Sequence, residues 1–329
     1  MSAWAGCRAS PSLALLKYWG KLETGDNLPA TPSLAVTLGG LYTDTWVRSA
    51  QDDSISIRGD AASHEPTRRG GERTTRFFDC LRSHLGVTKH FEARSVNSFP
   101  TAAGLASSSS GFAALTGACV TAAERELPPQ ELSEIARIGS VSAARSIYGG
   151  FVLLPAGALS AHQVFDARHW PDLRIVVVIT HKGPKPESSR KAMRDTSATS
   201  PFYPQWVTES NTMLSEALSA LRDRDLEKLG DMARSSYSMM HAAMLAARPP
   251  ILYWLPATLA VIRACQELRS RGIGAWETID AGPQVKILCA ARDSETVAQR
   301  VRECVPEGET LTCFPGEGVS LSTVEEPGA

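Results

Sequence analysis

The sequence predicts a two-domain protein of mixed helices and strands. Its 329 residues exceed the roughly 100–200 residues of a typical domain. Helical spacing and β-branched runs alternate along the chain, and the run RIVVVIT at 174–180 is the strongest pattern for a buried strand. A stretch rich in Lys, Pro and Ser at 181–200 indicates a linker or an active-site loop. We therefore predict domains at 1–181 and 182–329 that meet at a cleft.

Apolar spacing and turn residues predict the other elements in order. Two early strands are placed around a Gly39-Gly40 turn. Before residue 174, the predicted strands are 33–38, 43–48, 55–57 and 91–99, and the predicted helices are 74–85, 108–125 and 130–138. Beyond residue 200, the predicted helices are 205–222, 225–247, 256–271 and 294–303, and the predicted strands are 276–280, 284–290 and short runs to the end.

The composition excludes several classes of protein. Lys and Arg total 34 against 35 Asp and Glu, so the chain lacks the basic excess of an electrostatic nucleic-acid binder. Hydrophobic residues make up 43% of the chain, which favours a folded core over disorder, and no apolar run approaches the roughly 18 residues of a membrane span. The seven scattered cysteines contain no CxxC pair, and residues 1–8 lack a signal-peptide layout. We therefore expect neither a disulfide framework nor a zinc site. We also expect the protein to be located in the cytoplasm.

A run of small residues, PTAAGLASSSSG at 100–111, lies between a predicted strand and a predicted helix. Small side chains allow close approach of a ligand to the backbone, and N–H groups at a helix start favour phosphate. The composition fits a flexible Ser-rich loop equally well. The chain contains none of the motifs GxxxxGK[ST], GxGxxG, HExxH and GxSxG.

A second cluster, GSVSAARSIYGGF at 139–151, brings Ser140, Ser142 and Arg145 within two turns. Arginine suits bidentate recognition of phosphate or carboxylate. A lone arginine is more often a solvated surface charge, so the cluster alone does not decide between the two.

A third cluster, LALLKYWGK at 13–21, holds two lysines near aromatic residues. In a regular strand, alternate side chains point to the same face, so Lys17, Trp19 and Lys21 would share one. A bend at Gly20 would break this alternation. The lysines could bind a polyanion or could protect an edge strand from aggregation.

The fourth cluster, ETIDAGPQVK at 277–286, places Asp280 where a strand ends in a turn. A carboxylate at a strand tip facing a cleft can act as a general base or can orient a substrate, and it can equally form an Asx turn. The histidines show no metal-ligand spacing. Packing roles are expected for His84, His90, His169 and His241.

Taken together, these clusters resemble the GHMP kinase superfamily and, within it, the diphosphomevalonate (mevalonate diphosphate) decarboxylases. The matching segments follow one order over most of the chain, and FPTAAGLASS and SIYGGF are the most specific. They are LALLKYWGK (13–21), NLPATPSLAVTL (27–38), SVNSFPTAAGLASSSSGFAAL (95–115), GSVSAARSIYGGFV (139–152), HWPDLRIVVVIT (169–180), ESSRKAMRDTSATSPFY (187–203), MHAAMLAARPPILY (240–253) and TIDAGPQVKIL (278–288).

The resemblance implies an α+β, two-domain GHMP kinase fold with the active site in the interdomain cleft. Residues 1–181 are then the ATP-binding domain, similar to domain 2 of ribosomal protein S5, and residues 182–329 form a C-terminal α/β sandwich. The implied reaction uses ATP and Mg²⁺ to phosphorylate the 3-hydroxyl of mevalonate 5-diphosphate. Loss of phosphate and CO₂ then gives isopentenyl diphosphate. The resemblance also implies a homodimer, with neither a nucleic-acid nor a membrane partner.

The resemblance assigns roles position by position. Asp280 matches the residue that contacts the 3-hydroxyl, and Lys17 matches the lysine beside it. The residues that match substrate contacts are Tyr18, Lys21, Ser140, Ser142, Arg145, Ser189 and Arg190. The residues that match nucleotide contacts are Asn97, Ser98, Ala106, Ser107 and Ser108, and Ser107 is the implied Mg²⁺ ligand.

Departures from the family pattern keep other functions open. Relatives usually differ at Ser12-Leu13-Ala14, Thr31-Pro32-Ser33, Val141, Ala144 and Gln284. Pro32 and Val141 lie near the implied phosphate contacts, so an enzyme that converts mevalonate 5-phosphate to isopentenyl phosphate is an alternative. A kinase that phosphorylates mevalonate at the 3-hydroxyl without decarboxylation is a second alternative, and an inactive binding protein is a third. The presence of both Asp280 and Lys17 favours decarboxylation.

Overall fold

The computed structural model describes residues 3–23, 27–58, 67–68, 71–99, 107–181, 183 and 187–321. Strands and helices alternate through these residues, which confirms the predicted mixed helix and sheet class. The strands are β1 (Ala5–Ala9), β2 (Ser12–Ala14), β3 (Ser33–Gly39), β4 (Thr43–Ala50), β5 (Ser54–Arg58), β6 (Thr67–Arg68), β7 (His90–Asn97), β8 (Phe151–Leu154), β9 (His162–Phe165), β10 (Leu173–Ile179), β11 (Trp276–Ile279), β12 (Val285–Ala290) and β13 (Glu309–Pro315).

The helices include the long amphipathic segments that apolar spacing predicts. They are α1 (Glu72–Leu85), α2 (Ser107–Ala122), α3 (Pro129–Gly139), α4 (Ser189–Thr199), α5 (Tyr203–Asp223), α6 (Leu226–Leu245), α7 (Pro256–Ser270) and α8 (Ser294–Cys304). Short 3₁₀ helices occur at Val141–Ile147, Ala167–His169 and Ala291–Asp293. None of the helices in the described ranges combines the length and hydropathy that a membrane span requires.

The strands form two sheets. The first has the order β1-β4-β7-β5-β6, and α2 packs on β1 and β4. The second has the order β11-β12-β10-β13-β3-β8-β9, with β2 added beside β3. The second sheet therefore joins strands from both sides of residue 181, and the largest core mixes residues from both halves, such as Leu34 and Leu288.

One local prediction differs from the structure. The stretch 181–200 is not simply a linker or loop, because α4 occupies 189–199. The Ser188 hydroxyl caps this helix by accepting a hydrogen bond from the Lys191 N–H at 3.3 Å. Strands lie on either side of Gly39-Gly40 as predicted, and they belong to different sheets: β3 to the second and β4 to the first. The chain changes sheets at this turn, where Gly40 has φ +91°.

Candidate active site

The centre of the site is the Asp280 carboxylate, directly beyond the end of β11. Lys17 Nζ lies 2.6 Å from its Oδ1, and Lys286 Nζ lies 3.0 Å from its Oδ2. The Asp280 side chain is 29% exposed, whereas those of Lys17 and Lys286 are 2% and 3% exposed. The carboxylate thus faces the solvent side, and both ammonium groups lie buried behind it.

Lys17 reaches Asp280 from an irregular segment after β2. Its ammonium group also donates to the Ala14 carbonyl at 2.8 Å, and its backbone N–H donates to Ser236 Oγ on α6 at 2.8 Å. The chain bends at Gly20, which has φ +102°, and the Tyr203 hydroxyl occupies the space of a side chain there. The bend separates the surroundings of Lys17 from those of Lys21, so the two lysines do not share a strand face.

The charges at the centre hold Asp280 ionised. Burial opposes ionisation, but the two ammonium groups outweigh it and hold the pKa of Asp280 well below its usual range. Burial lowers the pKa of Lys17 to about 8, and the attraction of Asp280 only partly offsets this. The carboxylate is therefore a strong hydrogen-bond acceptor but a weak base in this arrangement.

A cavity of about 140 Å³ opens in front of Asp280. Arg145 Nη1 donates to Ser33 Oγ at 2.5 Å. Within the part of the chain that the structure describes, the buried Arg145 Nε and the buried Ser12 Oγ have no hydrogen-bond partner. Burial lowers the pKa of Arg145 to about 10, so the guanidinium stays charged at neutral pH. The cavity is lined by Ser12, Ala14, Lys17, Tyr18, Trp19, Ser108, Ser142, Arg145, Ser189, Met193, Met240, Asp280 and Ala281.

A second cavity, of about 470 Å³, lies at the N-terminal end of α2. Ile55, Ile57, Phe112 and Leu115 give it an apolar wall. Its whole lining is Thr43, Ile55, Ile57, Gly71, Arg73, Thr74, Ser95, Asn97, Ser107, Ser108, Gly111, Phe112 and Leu115. Ser108 lines this cavity and the one in front of Asp280, so the two spaces meet at the first turn of α2.

A third cavity, of about 830 Å³, is lined by cationic residues that include Lys21, Arg190 and Arg194. Lys21 Nζ donates to Asn27 Oδ1 at 2.5 Å. Burial and the nearby charges of Arg190 and Arg73 lower the pKa of Lys21 to about 8. Met193 lines both this cavity and the one in front of Asp280. A cationic region thus adjoins the carboxylate site.

Two family models cover most of the chain. Residues 9–164 match the diphosphomevalonate decarboxylase-like N-terminal domain, and residues 175–326 match the mevalonate 5-diphosphate decarboxylase C-terminal domain. The diphosphomevalonate decarboxylase of Gibberella zeae is 33% identical over 323 residues, which span 89% of this chain and 82% of the relative. The chain belongs to the diphosphomevalonate decarboxylase family. The enzyme of that name from Candida albicans is 32% identical, covering 86% of this chain and 83% of the relative.

Solved structures of the family share the fold. "MDDEF in complex with MVAPP, AMPPCP and Magnesium" has a TM-score of 0.89 at 33% identity, covering 98% of this chain and 99% of that one. Mevalonate diphosphate decarboxylase from Staphylococcus aureus has a TM-score of 0.88 at 31% identity, covering 98% of each chain. These similarities confirm the predicted two-domain GHMP kinase fold.

The structure gathers most of the predicted site residues of this family member around connected cavities. The cavity at Asp280 holds Lys17, Tyr18, Ser108, Ser142, Arg145 and Ser189, the α2 cavity holds Asn97, Ser107 and Ser108, and the cationic cavity holds Lys21 and Arg190. Ser140 is not in a lining, but its Oγ lies 3.1 Å from Ser142 Oγ. Ser98 lines none of these three cavities, and its Oγ accepts the Tyr42 N–H at 2.9 Å. Ala106 lies outside the described residues.

Three polar residues of this decarboxylase-family site are not among those predicted from the sequence. Lys286 and Asp280 share a face of the β11–β12 hairpin, because Thr278 pairs with Lys286. The register of two predicted strands around Ala-Gly-Pro would have shown this proximity. Ser12 and Arg73 carry no comparable local signal, because only the tertiary fold brings them to the cavities.

His241 is a packing residue, as expected. It is 2% exposed and its Nε2 lies 3.2 Å from the Asp280 carbonyl oxygen. Burial lowers its pKa to about 3, so the imidazole is neutral at neutral pH. A neutral ring behind Asp280 adds no further charge to the two lysines.

Proposed function

We propose that this chain catalyses the ATP-dependent decarboxylation of mevalonate 5-diphosphate to isopentenyl diphosphate, with release of ADP, phosphate and CO₂. One observation carries the proposal: Asp280, held by Lys17 and Lys286, faces a cavity that meets the α2 cavity at Ser108. An alcohol at Asp280 and the terminal phosphate of a nucleotide can therefore occupy adjoining spaces. The names of the similar proteins support this substrate pair.

The α2 cavity has the chemistry that ATP and Mg²⁺ need. Its apolar wall suits a nucleobase, and Ser107 and Ser108 stand at the positive end of the α2 dipole, where phosphate is stabilised. Hydroxyl oxygen is a ligand type that Mg²⁺ accepts, so Ser107 would hold the ion together with phosphate oxygens. When bound, Mg²⁺ neutralises charge on the phosphates during transfer. Asn97 also lines this cavity and would contact the nucleotide.

The substrate anions have matching partners in the other two cavities. The free hydrogen-bonding capacity of Arg145 Nε and Ser12 Oγ suits a carboxylate or phosphate in front of Asp280. Tyr18, Ser140, Ser142 and Ser189 add hydroxyl groups at or beside this space. Lys21 and Arg190 supply positive charge in the adjoining cationic cavity, which suits the 5-diphosphate.

The residues at the centre account for the order of the chemical steps. Asp280 accepts a hydrogen bond from the tertiary 3-hydroxyl and aims its oxygen at the phosphorus. Because phosphoryl transfer has a loose transition state, orientation matters more than a strong base, which agrees with the low pKa of Asp280. The alcohol oxygen bonds to the terminal phosphorus as the bond from that phosphorus to ADP breaks, and the hydroxyl proton passes to Asp280 and from there to solvent. The C–O bond of the resulting phosphate ester then breaks as phosphate leaves, and the electrons of the carboxylate C–C bond form the double bond as CO₂ departs.

A parallel product assay tests the proposal. Mevalonate, its 5-phosphate and its 5-diphosphate are each incubated with ATP and Mg²⁺, and ADP and CO₂ are measured together. We expect equal amounts of ADP and CO₂ from the 5-diphosphate. Turnover of the 5-phosphate alone would favour the monophosphate decarboxylase, ADP without CO₂ would favour the kinase, and no turnover of any compound would favour a binding protein.

An Asp280→Ala variant tests the assignment of the carboxylate. We expect turnover to fall by about 10³-fold or more, because the alcohol loses its orienting partner. ATP affinity, measured by calorimetry, should stay nearly unchanged, since Asp280 lines the substrate cavity and not the α2 cavity. Near-normal turnover would show that another group orients the alcohol.

We also propose that the protein acts in the cytoplasm as a homodimer, with domains at 1–181 and 182–329 that are joined through the second sheet and fold together. The seven scattered cysteines without a CxxC pair support a reducing compartment. Fractionation of the source cells tests the compartment. Light scattering of the purified protein tests the homodimer.

A further inference from the structure

The Asp280 carboxylate has a second lysine that the reaction outlined above does not use. Lys286 Nζ contacts Oδ2, while Lys17 Nζ contacts Oδ1, so each carboxylate oxygen has its own ammonium group. Lys17 lines the substrate cavity, but Lys286 does not. Among the described residues, Asp280 links Lys286 to the substrate cavity.

Lys286 is fixed by its place in the sheet. It is the second residue of β12, and β12 lies between β11 and β10. Its backbone partners are Thr278 on one side and Val177 on the other. A side chain that is 3% exposed within a central strand has little conformational freedom, so its ammonium group defines a fixed point behind the carboxylate.

We infer that Lys286 is a positioning residue for the proposed reaction: it holds Oδ2 of Asp280, so that the carboxylate presents one fixed orientation to the substrate alcohol. This inference rests on the proposed function. Asp280 follows the last residue of β11 and begins a turn, so its own backbone gives the carboxylate less support than a strand would. Contacts to both oxygens remove the rotation that a single contact to Lys17 would leave.

Stability alone does not explain a buried ammonium group at this position. Taking a lysine out of water is costly, and an apolar side chain of similar volume in a central strand is often as stable or more stable.

A second effect of Lys286 is electrostatic. Lys286 favours the ionised form of Asp280 and disfavours the charged form of Lys17. Among the described residues, Arg145 on the 3₁₀ helix Val141–Ile147 and the neutral His241 on α6 also face this pair.

Substitution Lys286→Met in the full chain tests the inference, with mevalonate 5-diphosphate, ATP and Mg²⁺ as substrates. We expect kcat to fall about 100-fold while the KM for ATP stays unchanged, because a misplaced carboxylate affects the reacting alcohol only. Without the Lys286 charge the pKa values of Asp280 and Lys17 both rise, so both limits of the kcat/KM pH profile should move upward. Lys286→Arg keeps the charge and should restore the pH limits at least in part.

Lys89→Met is the matched control, because it removes the lysine of an exposed pair with Glu124 at 3.3 Å. Its kcat and pH profile should equal those of the wild type. Wild-type kcat and unchanged pH limits in Lys286→Met would overturn the inference. A loss of kcat that Lys286→Arg does not recover, without any shift of the pH limits, would also overturn it, since that pattern indicates a structural role.

A readout without turnover keeps the test valid if the proposed function fails or if a variant is poorly active. Acetic anhydride modifies neutral amines, and peptide mass spectrometry can follow Lys17 from about pH 6 to about pH 10. The modification midpoint should move upward in Lys286→Met and not in Lys89→Met. An unchanged midpoint would overturn the electrostatic link between Lys286 and Lys17, whereas an inactive wild type with a shifted midpoint would refute only the proposed reaction. If Lys286→Met does not fold by circular dichroism, Lys286→Gln is compared in the same assay.

Discussion

Arg145 illustrates what one buried residue contributes to the site. Its guanidinium is 3% exposed, yet its Nε has no partner among the described residues. A buried donor without a partner costs free energy, and an anion in the cavity recovers that cost. Its burial in a cavity that also holds Lys17 and Asp280 excludes the alternative of a solvated surface charge.

Arg145→Ala should therefore weaken substrate binding more than it slows the chemical steps. We expect the KM for mevalonate 5-diphosphate to rise about 30-fold or more, which corresponds to about 2–5 kcal/mol for a desolvated charge pair. Steady-state kinetics with saturating ATP measure this change. Arg168→Ala removes an arginine whose side chain is 90% exposed and should leave the KM unaltered. A wild-type KM in Arg145→Ala would show that the anion binds elsewhere.

Individual site residues could be predicted where their type and their spacing in the sequence indicate a chemical role. Lys17 and Asp280 are 263 positions apart, and only resemblance to a family could suggest that they meet. Lys286 was missed because a lysine inside an apolar strand has no local signature of a ligand contact. Its proximity to Asp280 becomes evident only when the two predicted strands around Ala-Gly-Pro are paired in register.

The helix α2 shows how an element serves both packing and binding. Its residues are mostly Ser, Gly and Ala, and nearly all sides of the helix are buried. Small side chains let it approach β1 closely, and a Cβ on Gly117 would lie 2.5 Å from Cys7 Sγ. At Gly111, one turn from the helix start, a Cβ would meet no atom of the described residues within 4 Å, because the position lines the α2 cavity.

Two glycine substitutions in α2 should separate stability from binding. Gly111→Ala should raise the free energy of unfolding by about 0.5–1 kcal/mol through helix propensity, and it should weaken ATP binding because the methyl group enters the cavity. Gly117→Ala should lower the free energy of unfolding by about 1–3 kcal/mol through overpacking. Urea denaturation and calorimetric titration with ATP measure the two effects. Unchanged ATP affinity in Gly111→Ala would place the nucleotide away from this helix face.

Helices were predicted accurately where apolar spacing continues over several turns. The helix α4 was missed where the local composition indicated a loop. The helices α5 to α7 were predicted within a few residues of their ends, because apolar spacing persists over several turns. The helix α4 was missed because Lys, Pro and Ser around 181–200 indicate a loop, whereas only its residues Ala192, Met193 and Thr196 are buried. Three buried positions give too little periodicity to outweigh composition.

At the scale of the whole molecule, the second sheet determines how the two halves are joined. β10 lies before residue 181 but pairs with β12 and β13, which come after it. β13 in turn pairs with β3 of the N-terminal half. The sequence indicated β10 as a buried strand, but strand order depends on long-range pairing that no local pattern records. The domain boundary at 181 stays a prediction. The pairing of β10 with strands beyond residue 181 suggests how to test it.

Chains cut at residue 181 should not fold as independent halves. The fragment 182–329 lacks β10, the strand between β12 and β13, and the fragment 1–181 exposes β10 without either neighbour. We expect 182–329 to lack a cooperative thermal transition by circular dichroism. A fragment 166–329 keeps the three strands together and should retain more strand signal. A cooperative transition in 182–329 alone would mean that the C-terminal half forms its core without β10, although Val176 and Val178 belong to that core.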